Sequence, residues 1–238
     1  MFKSEQIFNN DNPNTNGELL FYNNIKDEID IIFDVGCRDD SLFTNFIGEV
    51  HYFEPLKETI EILSNNNNNN NNSYFNNFGL GDKNEIKLYY PLSQSFYDRT
   101  LSMTEHTNNK NWNPGNTIPL KIIKASDYIK NNNIQSIGFL KIDTEGYELN
   151  VIKGFDNYIS SVKMIQFEYG GTYKDNDTKM NDIVDYLKEY GFINFSYLAK
   201  NGIKAISNMN DHYQYCNIVC FNRNFNINDF FARCNITF

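Results

Sequence analysis

The stretch FLKIDTEGYELNVIKGF, residues 139–155, decides the fold class of this chain. Its first part is a short apolar run typical of a buried strand, and the residues after Asp143 favour a helix. Lys141, Asp143, Glu145 and Glu148 therefore cluster where a strand ends. In an open α/β sheet, ligands bind outside the carboxyl ends of the strands, so we expect the chemistry here.

Two further strand–helix units precede this stretch. Residues 29–33 form an apolar run rich in β-branched side chains, which indicates a strand buried on both faces and followed by Asp34 and Gly36. Residues 49–55 indicate a second strand, and residues 57–63 the helix after it. The repeated order of strand, turn and helix predicts a parallel sheet with crossover helices.

The other elements follow from the same patterns. We predict a helix at 18–29, a strand at 74–82 with a hairpin-like return at 85–90, a strand and a Ser126-capped helix within 118–133, a strand within 162–171, a helix at 175–190, and two late strands at 192–199 and 214–222 joined by a loop.

The chain is predicted to form a single domain, residues 18–238, after a flexible lead-in of residues 1–17. Residues 64–73 contain eight consecutive asparagines, which compete for their own backbone hydrogen bonds and so predict a surface loop insertion. Residues 91–117 are polar and lack a clear period, which indicates either disorder or a lid. A lid is favoured because this segment holds the only tryptophan, Trp112, and also His106.

Composition narrows the function classes. The net charge is -9, and Lys and Arg occur singly, so a phosphate backbone would be repelled and nucleic acid is not expected as a partner.

The four cysteines lack paired CxxC spacing and are predicted to be free thiols: Cys37, Cys216, Cys220 and Cys234. An apolar signal core and an apolar run of about 18 residues are both missing, which predicts no membrane span and a soluble, cytoplasmic or otherwise intracellular protein.

Two strand ends carry candidate ligand-binding residues. Gly36 follows the first strand and would let the backbone approach a ligand closely, although the GxGxxG dinucleotide fingerprint is absent. Glu54 lies twenty residues after Asp34, at the end of the second strand. A carboxylate there can accept hydrogen bonds from a ribose hydroxyl pair, or it can serve as a helix N-terminal charge beside Pro55.

Four segments in this order, DVGCRDD (34–40), HYFEP (51–55), NFGLGD (77–82) and LKIDTEGYELNVIKGF (140–155), resemble the FkbM family of S-adenosylmethionine-dependent methyltransferases. The resemblance covers residues 20–200. It implies the class I methyltransferase fold, a seven-stranded, mostly parallel sheet of order 3-2-1-4-5-7-6 with helices on both faces. It also implies S-adenosylmethionine as cofactor and O-methylation of a hydroxyl, often on a sugar or natural product.

The resemblance also implies roles for individual residues. Asp34 and Gly36 correspond to the loop at the methionine end of the cofactor, and Glu54 to the ribose-binding acid. The segment on the adenine side corresponds to Asn77, Gly79 and Leu80.

Two positions depart from the family's DVGANxG pattern. Arg38 replaces the asparagine and Asp40 the final glycine. Arg38 could pair with the cofactor carboxylate, or the bulky loop could weaken cofactor binding.

Catalysis of methyl transfer needs positioning and, optionally, a base for the hydroxyl proton. Asp143 is the first candidate at the methyl donor, with Glu145 or His106 as alternative bases. Lys141 could polarise the acceptor or pair with a carboxylate. A further option is a Mg²⁺ ion bound by Asp143, Glu145 and Glu168. Against this option, helix N-termini and lysines commonly neutralise such clustered acids.

The expected function is therefore O-methylation of a hydroxyl on a carbohydrate or related small molecule. Tyr169, Tyr173 and Trp112 are candidates to stack on a sugar ring. A non-catalytic interaction protein of the same fold is the alternative, and a nicotinamide-dependent oxidoreductase is disfavoured by the missing glycine fingerprint.

Overall fold

The computed structural model describes residues 7–67 and 72–226 and has an α/β fold with two sheets. Eleven strands lie within these residues: β1 (Ile31–Val35), β2 (Glu49–Phe53), β3 (Ser73–Asn76), β4 (Gly79–Gly81), β5 (Glu85–Tyr89), β6 (Ile118–Lys124), β7 (Ile137–Ile142), β8 (Val162–Tyr169), β9 (Phe192–Ala199), β10 (Gly202–Ala205) and β11 (Cys216–Asn222). Seven α-helices accompany them: α1 (Glu18–Ile25), α2 (Lys57–Asn66), α3 (Thr100–Thr107), α4 (Ala125–Asn131), α5 (Glu148–Gly154), α6 (Thr172–Asp175) and α7 (Met180–Glu189).

The main sheet has the order β10-β9-β11-β8-β7-β1-β2-β3. Its centre is parallel, and β11 runs antiparallel between β8 and β9. The expected seven strands are thus wrong in number: β9 to β3 follow the expected order, and β10 adds an eighth strand. The chain after β9, predicted as a loop, turns at residues 200 and 201 and pairs back on β9.

A separate sheet of order β4-β6-β5 packs beside the main one. The predicted strand at 74–82 divides into β3, in the main sheet, and β4, in the small sheet. At the break, the Asn77 side-chain amide donates to the Pro55 carbonyl at 2.9 Å. The predicted hairpin return at 85–90 is also wrong, because β6 lies between β4 and β5 and pairs with both.

Hydrophobic residues fill the space on both faces of the main sheet. Alternation along β1 places Phe33 in a core with α4, α5 and α7, and Ile32 in a second core with α1 and α2. The expected helices on both faces are therefore present. This packing brings the carboxyl ends of β1, β2, β7 and β8 to one edge, where their following loops meet.

Several local predictions can be compared with the structure. Lys124, not Ser126, precedes α4 as its N-cap, and the Ser126 hydroxyl instead donates to Asp156.

α2 runs into the asparagine insertion as far as Asn66, and residues 68–71 of that insertion lie outside the described residues. Cys37, Cys216 and Cys220 are buried free thiols, while Cys234 lies outside the described residues.

The segment expected as a lead-in makes specific contacts from residue 7 onward. The Asn9 backbone amide donates to the Tyr215 carbonyl at 2.8 Å, and Phe8 packs edge-on against Tyr197. Each helix within residues 7–67 and 72–226 is too short or too polar to cross a lipid bilayer.

Candidate functional site

Two adjoining hollows lie at the carboxyl edge of the main sheet. The small cavity, of about 290 Å³, is lined by residues that include Gly36, Glu54, Gly79, Leu80 and Tyr147. The large cleft, of about 1120 Å³, is lined by residues that include Asp34, His106, Lys141, Glu168 and Tyr215. Four residues line both hollows and form their shared wall: Arg38, Asp39, Asp143 and Glu145.

The turn after β1 fits tightly between β2 and β7. The Gly36 amide donates to the Phe53 carbonyl at 2.9 Å, and the Asp143 amide donates to the Val35 carbonyl at 2.9 Å. Gly36 has a φ of 81°, and a Cβ there would lie 1.8 Å from the Asp143 carbonyl oxygen. Only glycine therefore allows this loop and the loop after β7 to meet.

Asp34 lies beneath this turn and faces the large cleft. Its side chain is 2% exposed, and Oδ2 accepts a hydrogen bond of 2.6 Å from Ser41. Among the described residues, Oδ1 has no hydrogen-bond partner. Burial raises the pKa of Asp34 to about 6, although the nearby charge of Lys141 opposes this shift.

The two unusual loop positions behave differently. Arg38 has a φ of 56°, a left-handed conformation that asparagine adopts more readily than arginine. Its side chain is exposed and makes no ion pair with the described residues, so it is free to meet an anionic group. Asp40 lies outside the left-handed region, so glycine is not required there.

Glu54 ends β2 and faces the small cavity. Its Oε1 accepts a hydrogen bond of 2.8 Å from the Leu56 amide, and burial raises the pKa of its carboxyl group. Gly79 and Leu80 also line this cavity. Asn77 does not, because its amide is bonded to the Pro55 carbonyl.

Lys141 and Asp143 form an ion pair, with 3.0 Å between Nζ and Oδ2. Burial, the largest single influence, would raise the pKa of Asp143, but the Lys141 charge, the hydrogen bonds to Glu168 and Lys141 and the Arg38 charge together lower it. Burial alone would lower the pKa of Lys141, but the charge of Asp143 holds it well above its usual value. The pair is therefore charged at neutral pH, with the Asp143 carboxylate at the shared wall.

Glu145 connects the shared wall by hydrogen bonds to residues 91–117, the segment that was predicted as a lid. Its backbone is left-handed, with a φ of 54°, and its carbonyl accepts a hydrogen bond of 2.7 Å from Ser95. Its carboxylate accepts a bond of 3.0 Å from Arg99. Burial raises the pKa of Glu145 against the opposing charge of Arg99.

Glu148 holds the loop after β7 from below. It is fully buried, and its Oε1 accepts hydrogen bonds from the amides of Thr144 and Gly146, at 2.9 and 3.2 Å. Burial raises the pKa of Glu148 to about 7. The second carboxyl oxygen has no partner among the described residues.

Comparison with known proteins gives one decisive match. The profile of the family described as "Methyltransferase FkbM domain" matches residues 34–193, about two thirds of the chain. The chain belongs to this family. Its members are S-adenosylmethionine-dependent methyltransferases, which agrees with the sequence resemblance.

Solved structures with a similar fold are distant from this FkbM-family chain. They include a rRNA methylase from Streptococcus thermophilus (8% identity, 85% of this chain and 94% of the other, TM-score 0.46). The N-methyltransferase NodS from Bradyrhizobium japonicum WM9 shares 8% identity over 89% of this chain and 98% of its own, with a TM-score of 0.46. Magnesium protoporphyrin IX methyltransferase from Synechocystis PCC 6803 with bound SAH shares 8% identity over 87% of this chain and 83% of its own, with a TM-score of 0.40. No curated protein sequence matches the chain significantly.

The residues around the small cavity fit the family's cofactor. The glycine turn offers close backbone approach, and Glu54 offers an acid at the end of β2. A metal ion is not supported, because the described residues contain no group of three or more His, Cys, Asp or Glu side chains placed to hold one. Asp143 and Glu145, two of the Mg²⁺ candidates, are instead paired with Lys141 and Arg99.

Other candidates lie in different places. His106 lies on α3 and lines the large cleft with an exposed side chain. Tyr169 and Tyr173 belong to the hydrophobic core, and the Trp112 indole donates to the Asp98 carbonyl at 3.1 Å.

The sequence did not single out the aromatic residues that do line the cleft, Tyr213 and Tyr215, or Arg99. Tyr213 and Arg99 lie in segments without periodicity, and Tyr215 falls at the start of the strand predicted at 214–222, a pattern that does not indicate a place in the cleft.

Proposed function

We propose that this FkbM-family protein is an S-adenosylmethionine-dependent O-methyltransferase acting on a hydroxyl of a carbohydrate or related small molecule. One observation carries the proposal: a cofactor-sized cavity and a larger polar cleft share a wall at Asp143. Methyl transfer needs a donor and an acceptor on opposite sides of one reacting centre, and two hollows that meet at a carboxylate suit that need.

The small cavity is assigned to the cofactor. Glu54 would accept hydrogen bonds from the ribose hydroxyls, and Gly79 and Leu80 would lie beside the adenine. Gly36 would lie near the methionine end, with Asp34 beneath its turn on the side of the large cleft, and Arg38 could pair with the cofactor carboxylate. S-adenosylmethionine, when bound, supplies a methyl group already activated by a sulfonium.

The large cleft is assigned to the acceptor. The Asp143 carboxylate would accept a hydrogen bond from the acceptor hydroxyl and take its proton during transfer. Lys141 keeps that carboxylate ionised and fixed in place, because the two side chains are paired at 3.0 Å. The charged Lys141 cannot itself act as a base, and Glu145 and His106 remain secondary candidates at the same cleft.

The cleft lining favours a small molecule over nucleic acid. Its Asp and Glu side chains outnumber its Lys and Arg side chains, so a phosphate backbone would be repelled. Many polar side chains and the rings of Tyr213 and Tyr215 suit a polyhydroxylated acceptor instead.

A non-catalytic protein of the same fold is the second candidate, favoured by the left-handed Arg38 at the shared wall. Isothermal titration calorimetry with S-adenosylhomocysteine separates the two. We expect one binding site on the wild-type chain, followed by transfer of a labelled methyl group to a carbohydrate pool. No detectable binding would overturn the enzyme assignment.

A further inference from the structure

The large cleft carries an excess of negative charge. Its described lining includes nine Asp or Glu side chains but only three Lys or Arg side chains. Two of those three cations are already paired, Lys141 with Asp143 and Arg99 with Glu145. The third, Arg38, lies on the wall shared with the small cavity, where the cofactor carboxylate is proposed to bind.

Several of the acids have partners inside the protein. Glu18 accepts hydrogen bonds from Gln166 at 2.6 Å and Asn16 at 2.8 Å, and Glu105 pairs with Lys174. These side chains are therefore satisfied without a ligand.

Glu168 differs from these acids. It follows Phe167 near the end of β8, is 8% exposed, and lines the cleft. Its carboxyl group shares a side-chain hydrogen bond with Asp143, and its Oε2 receives no hydrogen bond from any donor among the described residues. A buried carboxyl oxygen without a partner costs free energy, and a ligand group that donates to it would recover that loss.

We propose that the large cleft takes an acceptor that carries a protonated amine, as an amino sugar does, and that the Glu168 carboxylate anchors the ammonium group. The inference rests on the proposed use of this cleft for the acceptor. An ammonium group donates up to three hydrogen bonds and offsets the surplus of carboxylates, which a neutral polyol cannot do. The rings of Tyr213 and Tyr215 in the same lining suit a cation as well as a sugar.

The surroundings of Glu168 give this binding mode a measurable signature. Burial, followed by the negative charges of Asp143 and Glu145 and by the hydrogen bond to Asp143, raises the pKa of Glu168 well above its usual value. Tyr173 of α6 also faces the group, and its hydroxyl donates to the Glu168 carbonyl at 2.7 Å. Glu148 adds a smaller charge, and Lys141 faces the group only through its pair with Asp143. From the other side, β11 contributes Cys216, and the preceding residue Tyr215 also approaches, both with raised pKa values and therefore neutral at pH 7.

The raised pKa favours the protonated form of Glu168 in the free protein. An ammonium group beside it favours the carboxylate, so the Glu168 proton leaves to solvent when the amine binds. A neutral ligand of the same shape would leave the proton in place. At a pH where the ligand amine is already protonated, amine binding should therefore release up to about one proton per site, whereas neutral binding should release none.

Calorimetry with matched sugars tests the inference. The full chain is titrated with a glucosamine trimer and with its N-acetylated counterpart at pH 6, where the sugar amines are largely protonated, in two buffers of different ionisation enthalpy. We expect the amine to bind at least about tenfold more tightly, with proton release only for the amine. Equal affinities, tighter binding of the N-acetylated trimer, or no binding of the amine would overturn the inference.

The Glu168→Gln variant keeps the shape of the side chain and removes its charge. In this variant the amine and the N-acetylated trimer should bind with about equal affinity, and proton release should be abolished. The affinity for S-adenosylhomocysteine should stay unchanged and serves as a measure of correct folding. Glu189→Gln, on the exposed face of α7, is the matched control and should change neither. An unaltered amine preference in Glu168→Gln would refute the anchor.

Each titration is run with and without S-adenosylhomocysteine. Amine-selective binding without any binding of S-adenosylhomocysteine would support the inference and refute the proposed methyl transfer. Binding of S-adenosylhomocysteine without amine selectivity would do the reverse.

Discussion

The small cavity and the large cleft share one wall but differ in what encloses them. The small cavity is enclosed by strand ends and the turns after them, including Gly36 and Glu54. The large cleft is enclosed by side chains from distant segments, including Asn9 near the N-terminus, His106 on α3 and Tyr215 before β11. The proposed cofactor site thus rests on sheet topology, whereas the proposed acceptor site combines strand-end residues such as Lys141 and Glu168 with the segments that surround the sheet.

Substitutions in the two hollows should therefore have different effects on cofactor binding and on acceptor turnover. A change in the shared wall should affect both cofactor binding and acceptor turnover. A change confined to the small cavity should affect the cofactor alone.

The largest effect is expected where both hollows meet. Gly36→Ala places a methyl group 1.8 Å from the Asp143 carbonyl oxygen at a positive φ, so the loops after β1 and β7 must separate. We expect a loss of about 3 kcal/mol or more in the free energy of unfolding, measured by urea denaturation. Gly170→Ala is the control, because its nearest neighbour would lie 3.5 Å away. Similar stabilities for the two variants would contradict this packing.

The next effect concerns Glu148 beneath the shared wall. Its pKa is raised from 4.5 to about 7 in the folded chain, so the proton binds more tightly to the folded state. The stabilising contribution is complete below pH 4.5 and is lost as the pH rises through about 7.

Glu148→Gln keeps the hydrogen-bond acceptor and removes this titration. Relative to wild type, it should gain about 3 kcal/mol in the free energy of unfolding between pH 4.5 and 8, as measured by urea denaturation across pH. Glu58→Gln, exposed on α2, should show no such trend. A constant difference between wild type and Glu148→Gln would show that Glu148 is ionised throughout.

Asp143→Asn tests the shared wall chemically. The amide keeps the size of the side chain but cannot take a proton, so kcat for methyl transfer should fall about 100-fold. Asp185→Asn, on the exposed side of α7, should retain full activity. Retention of kcat by Asp143→Asn would remove Asp143 from the proton-transfer role.

Glu54→Gln tests the small cavity alone. Loss of the carboxylate weakens the hydrogen bonds proposed for the ribose, so the Kd for S-adenosylhomocysteine should rise about tenfold. The KM for the acceptor should stay unchanged, because Glu54 lines only the small cavity. An unchanged Kd, or a raised acceptor KM, would contradict the division between the two hollows.

Much of the carboxyl edge of the main sheet, where the two hollows meet, could be predicted from the sequence for a physical reason. Asp34, Glu54 and Asp143 each follow an apolar run, and parallel strands bring such positions to one edge. The sequence also showed that Arg38 departs from the family's loop pattern, whereas the left-handed backbone of Arg38 is known only from the structure. Asn77, which the resemblance matched to the adenine-side segment, does not line the small cavity, and its amide donates to the Pro55 carbonyl at the break between β3 and β4.

The part of the large cleft that irregular segments contribute was hidden from sequence reasoning. Arg99 meets Glu145 across 46 residues of chain, and Asn9 meets Tyr215 across 206. Such contacts depend on tertiary packing of irregular segments, which carry no period from which position could be inferred. The small sheet was missed likewise, because β6 pairs with two strands that are distant from it in sequence.

A crystal structure of the chain with S-adenosylhomocysteine tests the central division most directly. The account predicts the adenosine in the small cavity, with its ribose hydroxyls on Glu54, and the sulfur facing Asp143 at the shared wall. The large cleft should stay open for the acceptor. Adenosine bound in the large cleft, or away from Glu54, would contradict the account.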